Sequence, residues 1–167
     1  MSARINMITL AIGVTLLSSG AMAATSAGAL TTTATVLSGC TIGSATMAFG
    51  VYDPTSGTPN DVNTTVAVVC TSGVPYVIYS TTSLGSRIMT TATGGAGQQI
   101  TFGVFGSAAD RTAGNHLPTF SDLGKISGTG TGLPQPVSLF GRLAAGQNAT
   151  PGAYTNALAT TNLTVEY

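Results

Sequence analysis

Residues 65–79 read TVAVVCTSGVPYVIY, and this stretch decides the fold. Apolar side chains alternate with their neighbours up to Cys70, and a second apolar run follows a Thr-Ser-Gly turn. Because side chains of a β-strand point alternately to opposite faces, the pattern predicts two strands, the second of them buried. The same period of two predicts further strands at residues 30–37, 47–51, 99–104, 137–143 and 161–167. No eleven-residue window has a convincing helical period, so the sequence favours strands and turns over helices.

Turn-forming residues separate these segments. Clusters of Gly, Pro, Ser, Thr and Asn occur at residues 56–61, 94–97, 127–136 and 146–152. The Gly/Thr-rich part at 127–132 is interpreted as a surface loop. Short strands that turns separate at such regular intervals are typical of an all-β sandwich. No internal repeat or long linker divides the chain. We therefore predict a single β-sandwich domain.

The first 23 residues have the features of a secretory signal peptide. Arg4 gives a positive start, residues 7–17 are mostly apolar, and Ala21-Met22-Ala23 places small residues where signal peptidase reads them. The alternative, a membrane anchor, is less favoured because the apolar run is shorter than the ~20 residues that span a bilayer. We predict cleavage before Ala24, export, and no membrane span in the remaining chain.

Export also bears on the two cysteines of the chain. In an oxidising compartment Cys40 and Cys70 are expected to form a disulfide. Closing a loop of ~31 residues in this way stabilises a fold by roughly 3–4 kcal/mol in the chain-entropy interpretation.

Composition excludes several functions. The 167 residues include five basic and five acidic side chains, so charged residues are 6% of the chain and the net charge is zero. Without an excess of basic residues, the chain lacks the positive charge that binding to a nucleic-acid backbone requires. Two cysteines and one histidine cannot build a Cys/His zinc site within one chain. We predict neither a nucleic-acid partner nor a cofactor.

Catalysis is also disfavoured, and we predict that the protein is not an enzyme. A Ser-His-Asp site would need His116, which lies in a turn-like stretch and is interpreted as a solvated loop residue; no Gly-x-Ser-x-Gly elbow is present. Paired carboxylates would have to come from the five acidic residues, of which the four aspartates lie in apparent turns, where Asp caps its own backbone. These are Asp53, Asp61, Asp110, Asp122 and Glu166.

The two ends of the chain suggest assembly. The sequence stops on an amphipathic strand, and a strand-like segment stands directly before Cys40. An exposed edge strand invites pairing with another chain, so we expect a strand from a neighbouring molecule to complete the sheet.

Four groups of residues, in their order and spacing, carry a family resemblance. They are Gly28-x-Leu30-x-Thr32-x-Ala34-x-Val36 before Cys40; Met47-Ala48-Phe49-Gly50-Val51-Tyr52; Val66-x-Val68-x-Cys70; and Phe140-Gly141-Arg142-Leu143 with Pro151-Gly152-Ala153-Tyr154 and Leu163-Thr164-Val165-Glu166-Tyr167. Together they resemble the spore coat protein U family, the domain of Csu-type (archaic) chaperone–usher pilins. The resemblance covers most of residues 24–167.

This resemblance implies an incomplete immunoglobulin-like β-sandwich that is completed by a donor strand from a neighbouring subunit. Residues 1–23 would be the signal peptide, 24–37 the donor segment and 38–167 the pilin domain. The donor side chains would be Gly28, Leu30, Thr32, Ala34 and Val36, and the last strand would form one wall of the acceptor groove through Leu163, Val165 and Tyr167. Thr32 and Ala34 are smaller than is usual in the family, which implies weaker anchoring or a shallower groove.

The implied partners are a periplasmic pilus chaperone, an outer-membrane usher and further copies of the chain, joined head to tail by donor-strand exchange. The protein would pass through the periplasm into a surface pilus with roles in adhesion and biofilm formation. Two alternatives stay open: a secreted coat protein that assembles as a layer, and a surface- or sugar-binding module. A binding module is expected to expose aromatic residues, and the chain has no tryptophan.

Overall fold

The computed structural model of the chain describes residues 25–82, 87–91, 99–119, 125–156 and 161–167. The predicted signal peptide at 1–23, the predicted turn at 94–97 and Asp122 lie outside the described residues. The chain divides into two units, Met1–Thr35 and Val36–Tyr167.

The first unit is described from Thr25 onward. Its described residues form no helix or strand, and all of them are exposed.

The second unit holds the strands, which form two antiparallel sheets. Its elements are β1 Cys40–Ile42, β2 Asn60–Cys70, β3 Pro75–Ser80, β4 Ile88–Thr90, β5 Gln99–Phe105, α1 Ala108–Ala113, β6 Ile126–Thr129, β7 Gln135–Leu143 and β8 Leu163–Glu166. The five-stranded sheet has the order β1-β2-β7-β5-β4, and the three-stranded sheet has the order β6-β3-β8. The predicted all-β sandwich is confirmed.

The core between the sheets consists of the inward side chains of the long strands, in which buried and exposed residues alternate. Val66, Val68 and Cys70 of β2 are at most 1% exposed, while the residues between them are exposed or half-buried. Ile78 of β3 and Leu139 of β7 contribute from the two sheets. Full burial of such an aliphatic side chain stabilises a fold by roughly 1.5–3 kcal/mol, so these inward positions fix the register of the long strands.

The predicted disulfide is confirmed. Cys40 and Cys70 are direct partners in the pairing of β1 with β2, and their Sγ atoms are bonded. The bridge therefore fastens the first residue of the three-residue strand β1 to the last residue of the longest strand in the sheet.

One predicted strand and one predicted loop need correction. Residues 47–51 form no strand, because Gly50 adopts a left-handed backbone with φ +71°, which breaks an extended path. Conversely, part of the segment predicted as a surface loop is the strand β6, which pairs with β3. Gly128 permits this pairing, since the ring of Tyr76 fills the space that a Cβ atom would take.

The second unit also contains one short helix among its described residues. Ser107 caps its start, accepting a hydrogen bond from the backbone N–H of Asp110 at 3.0 Å, and Gly114 ends it in the left-handed conformation. Helix α1 has six residues, too few to show a helical period in the sequence.

Candidate functional site

The edges of the two sheets show where a further strand could pair. Strand β1 lies at one edge of the five-stranded sheet and β8 at one edge of the three-stranded sheet, and the two strands contact each other. Within the described parts of the chain, β8 has β3 as its sole strand partner. An unpaired strand edge presents a row of free N–H and C=O groups that can template another strand.

The other two edges are partly covered. At β4, Thr90 and Thr155 exchange backbone hydrogen bonds of 2.8 and 3.0 Å, which closes that edge. At β6, the side chain of Gln135 donates from Nε2 to the carbonyl oxygen of Thr129 at 3.1 Å. The edge of β8 is therefore the strongest candidate for strand addition in the part of the fold that the structure describes.

The side chains predicted as the groove wall lie on or next to this edge. Leu163 and Val165 of β8 are half-buried and pack against the core. Tyr167 follows the strand and is 58% exposed. Inward residues of the central strands are almost completely buried, so the core is less covered at β8 than at its centre.

An apolar cleft of about 300 Å³ opens beside Leu163. Its lining comes from both sheets and from the segment before β2, and includes Met47, Phe49, Met89, Phe102, Val104 and Leu139. A second cleft of about 630 Å³ shares Met47, Phe49, Met89 and Tyr154 with the first and extends to Tyr52 and Leu143. Apolar surface that belongs to the sandwich interior thus remains accessible next to the open strand edge.

We call residues 46–52 the cleft wall, because they line the two clefts. Side chains hold this segment in place where no strand pairing does. The side-chain amide of Asn60 donates to the carbonyl oxygens of Phe49 and Val51 at 2.8 and 3.1 Å. The hydroxyl of Thr64 donates to the carbonyl oxygen of Thr46 at 2.9 Å. At the far end of the wall, the Tyr52 hydroxyl donates to the carbonyl oxygen of Ala144 at 2.8 Å.

The cleft wall packs on Gly141 of β7. A Cβ atom at this position would collide with Sδ of Met47 and would lie 3.0 Å from Cζ of Phe49. The Phe49 ring continues inward to the ring of Phe102, with centroids 6.1 Å apart. This packing gives a physical reason for two of the sequence motifs, since the Phe-Gly pair in β7 leaves the space that the Met-x-Phe pair occupies.

The predicted donor side chains lie in the segment before β1. Gly28, Leu30, Thr32, Ala34 and Val36 are all exposed, with exposed fractions of 88% for Leu30 and 81% for Val36. The predicted strand at 30–37 is not formed in the single chain. The structure thus leaves two large apolar side chains in water, and the assignment of these residues as a donor remains a prediction.

His116 is not the solvated residue that the sequence suggested. Its ring is half-buried and stacks on Phe105 with 4.6 Å between centroids, and among the described residues its Nδ1 atom has no hydrogen-bond partner. Burial, with a smaller contribution from the charge of Arg87, lowers the pKa of His116. Arg87 is itself fully buried and donates from Nη2 to the carbonyl oxygen of Leu117 at 2.7 Å. Burial lowers the pKa of Arg87 as well.

Acidic residues follow the turn prediction in part. Asp53 does cap a turn, accepting hydrogen bonds from the backbone N–H and hydroxyl of Thr55 at 2.8 and 2.6 Å. Asp61, however, lies in β2 and forms a two-pronged ion pair with Arg142 on β7, with both contacts at 2.7 Å. Hydrogen bonding from Arg142 lowers the pKa of Asp61, and Arg111 adds to this from 3.4 Å.

These charged groups have structural partners. Arg142 also donates to the backbone oxygen of Arg111, which ties helix α1 to the outer face of β7. Across the described parts of the chain, no cluster of three or more His, Cys, Asp or Glu side chains is arranged to hold a metal ion. The helix in those parts is too short to cross a membrane.

Comparison with known proteins gives one positive result. The family model of the Spore Coat Protein U domain matches residues 26–161. A search among curated proteins found no match. The matched range includes the segment from Ser26 to β1, both cysteines, the cleft wall and most of the strands.

Proposed function

Because the chain belongs to the Spore Coat Protein U domain family, we propose that it is a structural subunit of a surface pilus that polymerises by donor-strand exchange. The family is a structural, pilin-type family and not a family of enzymes. The observation that supports the proposal most directly is the open edge of β8 beside an accessible apolar cleft.

The donor in this proposal is the segment 24–37 of the next subunit. Residues 28–37 would supply the strand that pairs with β8, and alternate side chains would point into the cleft because strand side chains alternate between faces. Leu30 and Val36 are the two large side chains in phase, separated by the smaller Thr32 and Ala34. Their exposure in the single chain is consistent with a segment that buries them in a partner.

Two kinds of contact would contribute to binding of the donor segment. Two apolar anchors at roughly 1.5–3 kcal/mol each and about four backbone hydrogen bonds along the four-residue strand β8, at ~1 kcal/mol net each, give on the order of 7–10 kcal/mol before the cost of association. The contact joins different surfaces of the two copies, so it does not close on itself and produces a linear polymer.

The proposal includes a route to the cell surface. Residues 1–23 direct export, a periplasmic pilus chaperone covers the groove of the domain 38–167, and an outer-membrane usher replaces the chaperone by the next donor segment. The resulting pilus serves adhesion and biofilm formation. Family membership and the exposed apolar surfaces support this route, since both fit a subunit that needs a partner before assembly.

A self-complemented variant tests the proposal. A copy of residues 28–37 is fused after Tyr167 through a short flexible linker, and the fusion is compared with the unfused chain by size-exclusion chromatography and thermal unfolding. The fusion should be a monomer with a raised melting temperature. A matched control carries Val36→Asp in the added copy, which places a carboxylate in the apolar cleft and should remove the gain.

Two outcomes would contradict the proposal. One is an unfused chain that is already a stable monomer without a chaperone and gains nothing from the fusion. The other is assembly into a flat layer rather than thin fibres, seen by electron microscopy of the exported protein.

A further inference from the structure

Six large apolar side chains are exposed in the described parts of the chain: Leu30, Val36, Leu37, Val51, Leu133 and Tyr167. The proposed donor strand accounts for the first two. Three of the other four lie at one end of the second unit, and the fourth lies at the opposite end.

We call the first of these ends the disulfide pole, defined by Leu37, Leu133, Tyr167 and the Cys40–Cys70 bridge. The hydroxyl of Thr71 donates to the carbonyl oxygen of Leu37 at 3.3 Å. The backbone N–H of Gly132, the neighbour of Leu133, donates to the carbonyl oxygen of Cys70 at 3.0 Å. A shallow cleft of about 380 Å³ at this end is lined by Gly39, Cys40, Thr71, Gly132 and Tyr167 among others. Tyr167 lines this depression, and Leu37 and Leu133 lie next to it through Thr71 and Gly132.

The second end, the Val51 pole, is defined by Val51 and the start of β2. Val51 is 94% exposed, and its carbonyl oxygen accepts a hydrogen bond from Asn60, the first residue of β2. Cys70 is the last residue of this eleven-residue strand, so the two poles are separated by about 35 Å at ~3.3 Å per residue. Leu163 also lies toward the Val51 pole, because it pairs with Ser80 at the end of β3 that is remote from Thr71.

Chain connectivity decides which surface meets the disulfide pole. Three residues separate Val36 from Cys40, and an extended chain of that length spans only ~10 Å. A neighbour that holds Val36 in its groove must therefore lie against the disulfide pole. If the donor runs antiparallel to β8, which is the commoner and slightly more stable pairing, Val36 reaches the Leu163 end of the neighbour's groove. That is the end where the neighbour exposes Val51.

We propose that the disulfide pole is a docking surface for the Val51 pole of a second copy of this chain, formed in addition to the donor strand. This proposal rests on the proposed function, since donor exchange brings the two poles together. The contact removes from water the exposed apolar side chains for which the donor strand does not account. It also fixes the angle between consecutive subunits, which a donor strand joined by a three-residue linker leaves free.

Engineered cysteine pairs in assembled fibres test the contact. Leu133→Cys combined with Val51→Cys should give ladders of disulfide-linked subunits on a non-reducing gel, with Cys40–Cys70 verified as intact by peptide mapping. The matched control combines Leu133→Cys with Thr65→Cys, because Thr65 is exposed on the outer face of β2 between the poles. We expect at least a tenfold higher yield of linked subunits for the first pair.

A second variant tests whether apolar packing at the disulfide pole, and not only the closeness of the two poles, supports the contact. Adding Leu37→Asp to the first cysteine pair should lower the cross-linking yield several-fold while thin fibres still form, because Leu37 is out of phase with the donor anchors.

The outcomes distinguish the two proposals. Fibres that form without cross-links between positions 51 and 133, or that cross-link efficiently through Leu133→Cys alone, overturn the pole contact and leave donor-strand exchange standing. A chain that forms no fibres under any condition overturns both.

Discussion

Replacing Gly141 by alanine is expected to displace the cleft wall and destabilise the subunit. The new Cβ atom would overlap with Sδ of Met47 and would lie 3.0 Å from Cζ of Phe49 and 3.1 Å from Cγ2 of Val62. Met47 can change rotamer, but Phe49 is buried, and Val62 belongs to a paired strand. The segment that carries Met47 and Phe49 must therefore move outward.

Two contributions determine how much Gly141→Ala lowers the free energy of unfolding. Overpacking of a close-packed site costs about 1–3 kcal/mol, and weakening the contact between Phe49 and Phe102 removes part of an aromatic pair worth about 0.5–1.5 kcal/mol. We expect a loss of roughly 2–4 kcal/mol in the free energy of unfolding, which lowers the melting temperature by about 10 °C at ~3–4 °C per kcal/mol for a chain of this size.

Thermal and urea unfolding of the exported, disulfide-bonded chain measure this loss. Gly57→Ala is the matched control, because Gly57 has no positive φ and a Cβ atom there meets nothing within 4 Å. The control should unfold within about 0.5 kcal/mol of the parent. If Gly141→Ala is as stable as Gly57→Ala, the inference that the cleft wall packs closely on β7 is wrong.

Three further predictions follow from the same structure. Reduction of the disulfide should lower the free energy of unfolding by roughly 3–4 kcal/mol, measured by urea unfolding with and without reductant, and free thiols in the native exported protein would contradict the bridge. Val36→Asp should abolish fibre formation, whereas Thr33→Asp, on the opposite face of the donor segment, should be tolerated; electron microscopy that shows equal loss for both variants would refute the donor phase. Stability should be full above about pH 6.5 and should fall as the pH drops toward the lowered folded-state pKa of His116, because folding favours its neutral form beside Arg87. His116→Gln should lose this part of the pH dependence in parallel melting curves, and an unchanged slope would contradict it.

The long strands could be predicted from the sequence because burial alternates along them. In β2, β5 and β7 most inward positions carry valine, isoleucine, leucine or phenylalanine, and the outward ones carry mainly polar or small residues. Strands β1 and β4 have three residues each, which is too short for a period to appear. Strand β6 has the sequence ISGT, and its glycine favours a turn when only the sequence is considered. In the structure, the missing side chain of this glycine leaves room for the ring of Tyr76.

The candidate site was only partly predictable for a related reason. The last strand has an apolar alternation that predicts it, and the segment proposed as the donor has a similar alternation. The cleft wall does not, since hydrogen bonds from Asn60 and Thr64 position it rather than strand pairing. The burial of His116 against Phe105 likewise depends on a contact between distant parts of the chain, and local turn residues gave the opposite indication.

The position of the disulfide has a mechanical consequence for a fibre under tension. In the proposed fibre, a pull on the donor segment would enter the folded unit at Cys40, and β1 alone would resist it through three residue pairs that peel apart one after another. The covalent bond at the first of these pairs transfers the load to β2 instead. Strand β2 is paired with β7 over nine consecutive positions, which must be sheared together. If donor-strand exchange joins the subunits as proposed, each subunit would stay folded while the force acts on the junction between subunits.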